Sequence, residues 1–495
     1  MSQTNQRGHV FTRKDLDIIL SKVVGKTLGE ADTNHVFAKT IKHPKITGIA
    51  GDVVEQSILN YPADSHQSPD LIVDGVSVEL KTTGLRQVKK SSNGDYEAKE
   101  PISITAVSPK KIVHEIFEYS NFWHKLERLL LVYYLYDSEV TVTAAEYSKF
   151  PILGYHFHEF DNETQEILKN DWSIVRNFIQ ELQSTYDNPE SHYPKISSSL
   201  RSNLMLIDTA PKWPNNPRFR LKRATVSTIV QKHFGEQFEE LDQKISSFEQ
   251  LDKKLREFTR LYKGKTVEEL IQILDISIKL TEEKQDAPKA ITEQIVTAMF
   301  GAKSKKISKI ELFSEIGLSG KTITQTQQET RTEDTKLFKV EFDEWLDENI
   351  SFEESSVFSN FSERQFLFII FEEQHTSQKL LKNKFLGFKR VTFSESFIEN
   401  EVRRMWLDVR NKVFSGNLKE EIVTDKSGAP VRNKNGVIRS SVNLPKSKDF
   451  KVFFRGTGAD SSDKPITINN ISMYRQDVWI KGTELVEMLG RVKYI

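Results

Sequence analysis

The sequence contains no cysteine among its 495 residues. This absence excludes disulfide bonds and thiolate metal sites, and it is typical of proteins that work in a reducing intracellular compartment. The sequence also lacks an apolar run of about 18 residues, the length that a membrane-spanning helix needs. Its polar N-terminus has no signal-peptide core. We therefore expect a cytoplasmic protein without a membrane segment.

An excess of charge of either sign is also missing, because 70 Lys and Arg residues balance 70 Asp and Glu residues. A nucleic-acid partner would therefore have to be held by local basic patches and not by the field of the whole molecule. Candidate patches are residues 86–90, 218–223 and 303–309. The length exceeds that of a usual single hydrophobic core and predicts two domains.

Residues 69–81 carry the most informative pattern in the chain. Two runs rich in β-branched residues flank Asp74 and Gly75, which is a strong signal for a two-residue hairpin turn. Counting outward from this turn places Asp70 opposite Glu79, with Cβ atoms roughly 5 Å apart. Alternation along the second strand puts Glu79 and Lys81 on the same face. The hairpin thus gathers an acidic pair with a lysine at its edge.

This arrangement suits phosphodiester cleavage. Two neighbouring carboxylates repel each other unless a cation lies between them, and their hard oxygen atoms favour Mg²⁺. Such a metal can polarise a phosphate and lower the pKa of a bound water, while the lysine helps to position that water. The alternative is an ordinary hairpin with charged residues on its solvent face.

Six landmarks of the first half recur in the same order in the second half, which indicates a duplicated fold. The paired segments are 25–27 with 264–266, 54–57 with 292–295, 79–82 with 319–322, 129–136 with 366–371, 171–172 with 405–406, and 219–222 with 478–481. In the second copy the positions of Asp70 and Glu79 are occupied by Ile310 and Ser319. We therefore expect that copy to bind no catalytic metal.

These residues resemble the MutH-like family of endonucleases. That family contains the mismatch-repair nicking enzyme and the restriction endonucleases of the Sau type, which cut at GATC. The residues that carry the resemblance are Glu55, Asp70, Glu79-Leu80-Lys81-Thr82, Lys125, Asp171-Trp172 and Phe219-x-Leu221-Lys222 in the first half, and Gln365-Phe366-Leu367-Phe368-Ile369 and Val402-Arg403-Arg404-Met405-Trp406 in the second.

The resemblance implies an α/β chain with two tandem MutH-like domains of the PD-(D/E)XK, restriction-endonuclease-like class. The catalytic domain would cover residues 1–237, a helical linker residues 238–263, and a catalytically degenerate, DNA-binding effector domain residues 264–495.

The resemblance also implies Mg²⁺ as the cofactor, with no other cofactor. Asp70 and Glu79 would hold the metal, Lys81 would act on the water, and Glu55 and Lys125 would complete the site. Five basic residues are candidate DNA contacts: Arg218, Arg220, Lys222, Arg404 and Lys481.

The activity implied is that of a type II restriction endonuclease of the two-site type called IIE. Such an enzyme would bind double-stranded DNA at two sites and have a cognate DNA methyltransferase as functional partner. It would be a monomer in solution that dimerises on DNA. GATC is an expectation, because residues 193–217 lack the Arg-Pro-Lys-like motif of the nicking enzyme and Arg220 replaces a tyrosine. The alternatives are a MutH-like nicking endonuclease in repair and a sequence-specific DNA-binding protein with a vestigial site.

Overall fold

The computed structural model describes residues 9–44, 46, 48–61, 68–88, 96–138, 142–210, 216–282, 285–326, 332–340, 342–348, 350–375, 378–425, 427–433 and 436–495. Its strands are β1 Val10–Phe11, β2 Leu71–Val73, β3 Val76–Gln87, β4 Tyr96–Ala98, β5 Ile102–Ala106, β6 Arg128–Leu135, β7 Ile152–Glu159, β8 Ile207–Ala210, β9 Arg218–Leu221, β10 Leu318–Thr326, β11 Thr335–Lys339, β12 Gln365–Glu373, β13 Lys384–Val391, β14 Glu420–Ile422, β15 Ser440–Val442, β16 Val452–Thr457, β17 Ile466–Ile468, β18 Ile471–Met473 and β19 Arg475–Ile480.

The described ranges also contain α-helices. They are α1 Arg13–Ser21, α2 Leu28–Ala31, α3 Lys39–Lys42, α4 Ile49–Val53, α5 Pro109–Ile112, α6 Asn121–His124, α7 Asn162–Thr185, α8 Ile196–Leu200, α9 Arg223–His233, α10 Phe248–Tyr262, α11 Val267–Ile273, α12 Ile291–Met299, α13 Glu311–Glu315, α14 Ser356–Ser362, α15 Glu395–Phe397, α16 Arg403–Phe414 and α17 Gly482–Arg491. Within the described ranges, none of the helices combines the length and the apolar character needed to cross a bilayer. The chain is a mixed α/β protein.

The chain divides into two compact units. The first contains Met1–Ser138, Val142–Leu251 and Gly301–Leu318, and the second contains Asp252–Phe300 and Ser319–Ile495. Glu239 helps to explain why Gly301–Leu318 belongs to the first unit, because its carboxylate accepts hydrogen bonds from the backbone N–H groups of Lys303 and Ser304. The expected boundaries at residues 237 and 264 remain a prediction.

The segment predicted as a helical linker over 238–263 is helical only from Phe248 onward. The Ser247 side chain accepts a hydrogen bond from the backbone N–H of Gln250 at 3.2 Å and so supplies an N-terminal cap. Before that cap, Glu239 forms a parallel bridge with Ile310, so this part of the segment is extended.

The first unit is built on a sheet with the strand order β1-β2-β3-β6-β7, and β4 pairs with β3. The predicted hairpin is confirmed, because Val73 pairs with Val76 across the Asp74-Gly75 turn. Strand β6 lies between β3 and β7 and is almost completely buried, and its nearly continuous apolar sequence is typical of such a central strand. A separate sheet has the order β5-β9-β8.

Helix α6 packs against this separate sheet. The Asn121 side-chain amide donates to the Thr105 hydroxyl of β5 at 2.8 Å. The ring of Phe122 lies 4.8 Å from the ring of Phe219 on β9. Helix α6 is therefore held in a defined place just before the chain enters β6.

The second unit contains sheets with the orders β10-β12-β13 and β11-β19-β16, and two small hairpins, β14–β15 and β17–β18. The central strand β12 is buried from Gln365 to Phe371 and forms part of the hydrophobic core of this unit. Trp345 and Trp406 are also buried, and their ring centroids lie 6.1 Å apart.

The paired segments 25–27 and 264–266, both Gly-Lys-Thr, adopt the same local structure in their respective units. Gly25 and Gly264 both have φ = 85°, a left-handed conformation that favours glycine. Thr27 is the N-cap of α2 and Thr266 is the N-cap of α11, and each closes a capping box with a glutamate three residues later. The glycine N–H then donates to the first residues of β7 in one unit and of β13 in the other.

Candidate active site

Asp70 lies directly before β2, next to the last pair of the hairpin ladder. That pair is Leu71 with Val78, so the register continues to Asp70 opposite Glu79. The Asp70 carboxylate accepts a hydrogen bond from the backbone N–H of Leu80 at 2.9 Å. The backbone carbonyl oxygen of Asp70 lies 2.7 Å from Nδ1 of His9. These contacts fix a half-buried carboxylate beside the second strand.

Glu79 is a buried carboxylate in the middle of β3, with only 1% of its side chain exposed. The Nζ atom of Lys125 lies 3.0 Å from each of its two oxygens. The Nζ atom of Lys81 lies 2.6 Å from Oε1. A buried charge is costly unless it is paired, and the two ammonium groups provide this pairing. The structure therefore brings Glu79, Lys81 and Lys125 into one cluster beside Asp70.

Lys125 reaches the cluster because of the elements on either side of it. Ser120 is fully buried and caps α6 by accepting a hydrogen bond from the backbone N–H of Trp123. Lys125 follows the last residue of α6 and precedes β6. Strand β6 runs parallel to β3 with Leu129 paired to Glu79, so the segment that leads into β6 ends close to the Glu79 carboxylate.

Glu55 lies in a π-helical turn, Val54–Ile58, which continues α4. Helix α4 packs on β3, since a Cβ atom added to Gly51 would lie 3.4 Å from the hydroxyl of Thr82. The element that carries Glu55 thus adjoins β3. A direct part for the Glu55 carboxylate in the site remains a prediction.

Asp70 and Glu79 form a donor set that suits Mg²⁺. Both offer carboxylate oxygens, which are the ligands that this hard cation prefers. Among the described residues, no group of three or more His, Asp or Glu side chains forms a fuller metal cage. Mg²⁺ commonly uses one or two carboxylates together with waters and substrate phosphates, so an acidic pair on neighbouring strands fits it.

The structure contradicts the prediction that Lys222 contacts DNA. This residue is only 3% exposed, and its Nζ atom donates to the carbonyl oxygen of Leu204 at 2.5 Å. The nearby carboxylate of Asp171, also fully buried, provides the opposite charge. The sequence showed a basic patch, but it did not show that this lysine turns inward.

The other candidate DNA contacts lie at least partly at the surface. Arg220 forms a bidentate ion pair with Asp208 across the β8–β9 ladder, with N–O distances of 2.8 and 2.6 Å. Arg404 is exposed, and Arg218 and Lys481 are half-buried. Their contacts with DNA remain predictions.

His156 and His158 belong to β7 and are half-buried. Burial, with a smaller effect of His233, lowers the pKa of His156 to about 4. Burial, with a smaller effect of His156, lowers the pKa of His158 to about 3. The rings of His156 and His233 stack with centroids 4.6 Å apart. These neutral imidazoles form part of the packing of β7.

The α/β sheet of the first unit thus presents two carboxylates and a lysine from adjacent strands, an arrangement that suits the hydrolysis of phosphodiester bonds. Comparison with known proteins supports a DNA nuclease. The family model of the DNA mismatch repair enzyme MutH matches residues 59–171, a segment that contains Asp70, Glu79, Lys81 and Lys125.

A second match extends over nearly the whole chain. The chain is 24% identical over 506 aligned residues to the type II restriction enzyme Sau3AI of Staphylococcus aureus, with 93% of this chain and 95% of that protein covered. The two matches confirm the expected resemblance to the MutH-like endonucleases. They also support the expectation of an enzyme of the site-specific DNA nuclease class.

Proposed function

We propose that this protein is a type II restriction endonuclease that makes Mg²⁺-dependent double-strand cuts at a short DNA sequence. The main support for this proposal is that the Glu79 carboxylate contacts the ammonium groups of Lys81 and Lys125 next to the Asp70 carboxylate. The match to Sau3AI over 93% of the chain favours restriction over repair. The target that we expect is GATC.

In the proposed reaction, water attacks the phosphorus atom and the bond to the leaving sugar oxygen breaks. Asp70 and Glu79 would hold Mg²⁺, which when bound polarises the phosphate and lowers the pKa of a coordinated water. Lys81 is 22% exposed and lies at the edge of the cluster, where its ammonium can hold the attacking water and offset charge that develops on the phosphate. Lys125 adds a second positive charge next to the same carboxylate.

For the second unit we propose an inactive copy of the fold that binds a second DNA target as an effector. Its β10-β12-β13 sheet has the same order of landmarks as β3-β6-β7, with a buried middle strand in each. Ser319 stands at the position of Glu79, so this copy lacks that metal ligand. Arg404 and Lys481 would be among its DNA contacts.

The proposal includes the partners and the location that such an activity requires. A cognate DNA methyltransferase would protect the host DNA, and both proteins would act in the cytoplasm. The enzyme would be a monomer in solution and would dimerise on DNA.

The test is the incubation of unmethylated supercoiled plasmid and phage DNA with the full chain and Mg²⁺. A restriction enzyme produces linear plasmid and phage fragments whose sequenced ends share one short motif. Nicked circles as the sole product would favour the alternative of a nicking endonuclease. A retarded but uncut plasmid would favour a DNA-binding protein with a vestigial site. Fragment ends without a common motif would contradict the proposal.

The effector role has a separate test. We expect an uncleavable oligonucleotide with the target sequence to speed the cleavage of a DNA that has a single site, because an effector must favour the active state of the first unit. A scrambled oligonucleotide is the control. A cleavage rate that does not change with added specific oligonucleotide would exclude the effector role.

A further inference from the structure

The Glu79 carboxylate is already occupied by two cations that belong to the protein. Lys125 lies at equal distances, 3.0 Å, from both oxygens, and Lys81 lies 2.6 Å from one of them. Only 1% of the Glu79 side chain and 11% of the Lys125 side chain are exposed. Any further cation that uses these oxygens must therefore share them with an ammonium group in a poorly hydrated place.

The charge of the cluster makes this competition stronger. Asp70 and Glu79 contribute two negative charges, and Lys81 and Lys125 contribute two positive charges, so the four groups together are neutral. A divalent cation would give the cluster a net charge of +2. Like charges at short range in a partly buried site disfavour each other strongly. Tight binding of the divalent cation therefore requires that one ammonium group move away from Glu79 or that a negatively charged group join the cluster.

We propose that Lys125 competes with the divalent cation for Glu79, so that the metal binds with high affinity only when the Lys125 ammonium has left this carboxylate. This inference rests on the proposed function, because it concerns the same metal site. A lysine ammonium can move away from a carboxylate in this way because it is a point charge on a flexible four-carbon stem. A phosphate group of DNA is the negative group that can receive the displaced ammonium. Metal and DNA then assist each other in binding, by the same factor in both directions.

The alternative is that Lys125 only holds Glu79 in the correct orientation for the metal. The two roles predict opposite effects when the charge is removed. If Lys125 orients Glu79, removal of its charge should weaken metal binding. If Lys125 competes with the metal, the same change should strengthen metal binding. Binding of the metal in the absence of DNA separates them without any measurement of cleavage.

The experiment titrates the full chain with Ca²⁺ and with Mg²⁺ by calorimetry in the absence of DNA. The variants are Lys125→Met and, as a matched control, Lys244→Met, which removes a lysine from an exposed ion pair with Glu163 at 2.8 Å in the same unit. We expect Lys125→Met to bind the cations at least about tenfold more tightly, which corresponds to about 1.4 kcal/mol. Lys244→Met should bind like the wild type. Unchanged or weaker binding by Lys125→Met would overturn the proposal.

A second variant protects the test against misfolding. Lys125→Gln keeps a hydrogen-bond donor for Glu79 and removes the charge, so it should also bind the cations more tightly. Ca²⁺ should then raise the melting temperature of either variant more than that of the wild type. If the wild type cuts DNA with Mg²⁺ and neither variant binds the cations more tightly, this inference fails alone. If the wild type neither cuts DNA nor binds a divalent cation, both this inference and the proposed function fail.

Discussion

Replacing Asp171 should destabilise the first unit more than the loss of any surface ion pair. Asp171 is fully buried on α7, and its carboxylate accepts hydrogen bonds from three successive backbone N–H groups, those of residues 205–207, at 2.7 to 3.2 Å. Burial raises the pKa of Asp171 to about 6, while these N–H groups and Lys222 act in the opposite direction. At neutral pH the carboxylate is therefore ionised. It holds the turn that leads into β8.

The expected magnitude follows from the groups that would lose their partner. Asp171→Ala leaves three buried N–H groups without this acceptor, and one such unsatisfied group costs about 1–3 kcal/mol. It also removes the buried negative charge that attracts the Lys222 ammonium, which adds to the loss. The two losses overlap, so we expect the free energy of unfolding to fall by about 4 kcal/mol. Asp171→Asn keeps one acceptor oxygen and should cost about half as much.

Urea unfolding at pH 7 followed by tryptophan fluorescence measures this loss, because Trp172 lies next to Asp171 in the sequence. The matched control is Asp52→Ala, which removes an ion pair with Lys39 at 3.1 Å in which both side chains are partly exposed. That change should cost no more than about 1 kcal/mol. A loss of less than about 1 kcal/mol for Asp171→Ala would refute the claim that this carboxylate holds the turn.

Three other perturbations have definite expected outcomes. Lys81→Ala should slow DNA cleavage by about 100-fold or more, since a charge that stabilises the transition state contributes about 3 kcal/mol; a wild-type rate would show that Lys81 points elsewhere. The melting temperature should fall as the pH is lowered from about 6.5 to about 4, because the unfolded chain binds protons at His156 and His158 before the folded chain does. His158→Gln should make this decline shallower, and an unchanged pH profile would contradict the assignment. Burial raises the pKa of Glu315 to about 8, so the contribution of this one group to stability falls as the pH rises from about 4.5 to about 8; Glu315→Gln should therefore raise the melting temperature at pH 8, and a lower value would count against it.

The acidic pair could be predicted from the sequence because its geometry is local. A two-residue turn at Asp74-Gly75 fixes the register, and the register alone places Asp70 opposite Glu79. The apolar run of β6 is likewise a local pattern that favours a central strand. These features depend on residues that are close together in the chain.

Other parts of the site depend on contacts between distant residues. Lys125 meets Glu79 across 46 positions, and this contact exists only because β6 pairs with β3 in parallel. The pattern of residues alone could not supply that pairing, so Lys125 was expected only through the resemblance to a family. Lys222 shows the opposite case, since it is part of a basic run but points inward toward the Leu204 carbonyl.

The assignment of Asp70 and Glu79 to the active site is tested most directly by a comparison of DNA cleavage and DNA binding among the wild type, Asp70→Ala and Glu79→Ala. Removal of either carboxylate takes away a ligand of the proposed Mg²⁺ site, whereas phosphate contacts are distributed over many basic groups. We therefore expect the wild type to cut unmethylated DNA in Mg²⁺, and both variants to bind the same DNA without cutting it. Circular dichroism should show that each variant is folded. Cleavage by a folded variant within a few-fold of the wild-type rate would contradict the assignment of the active site.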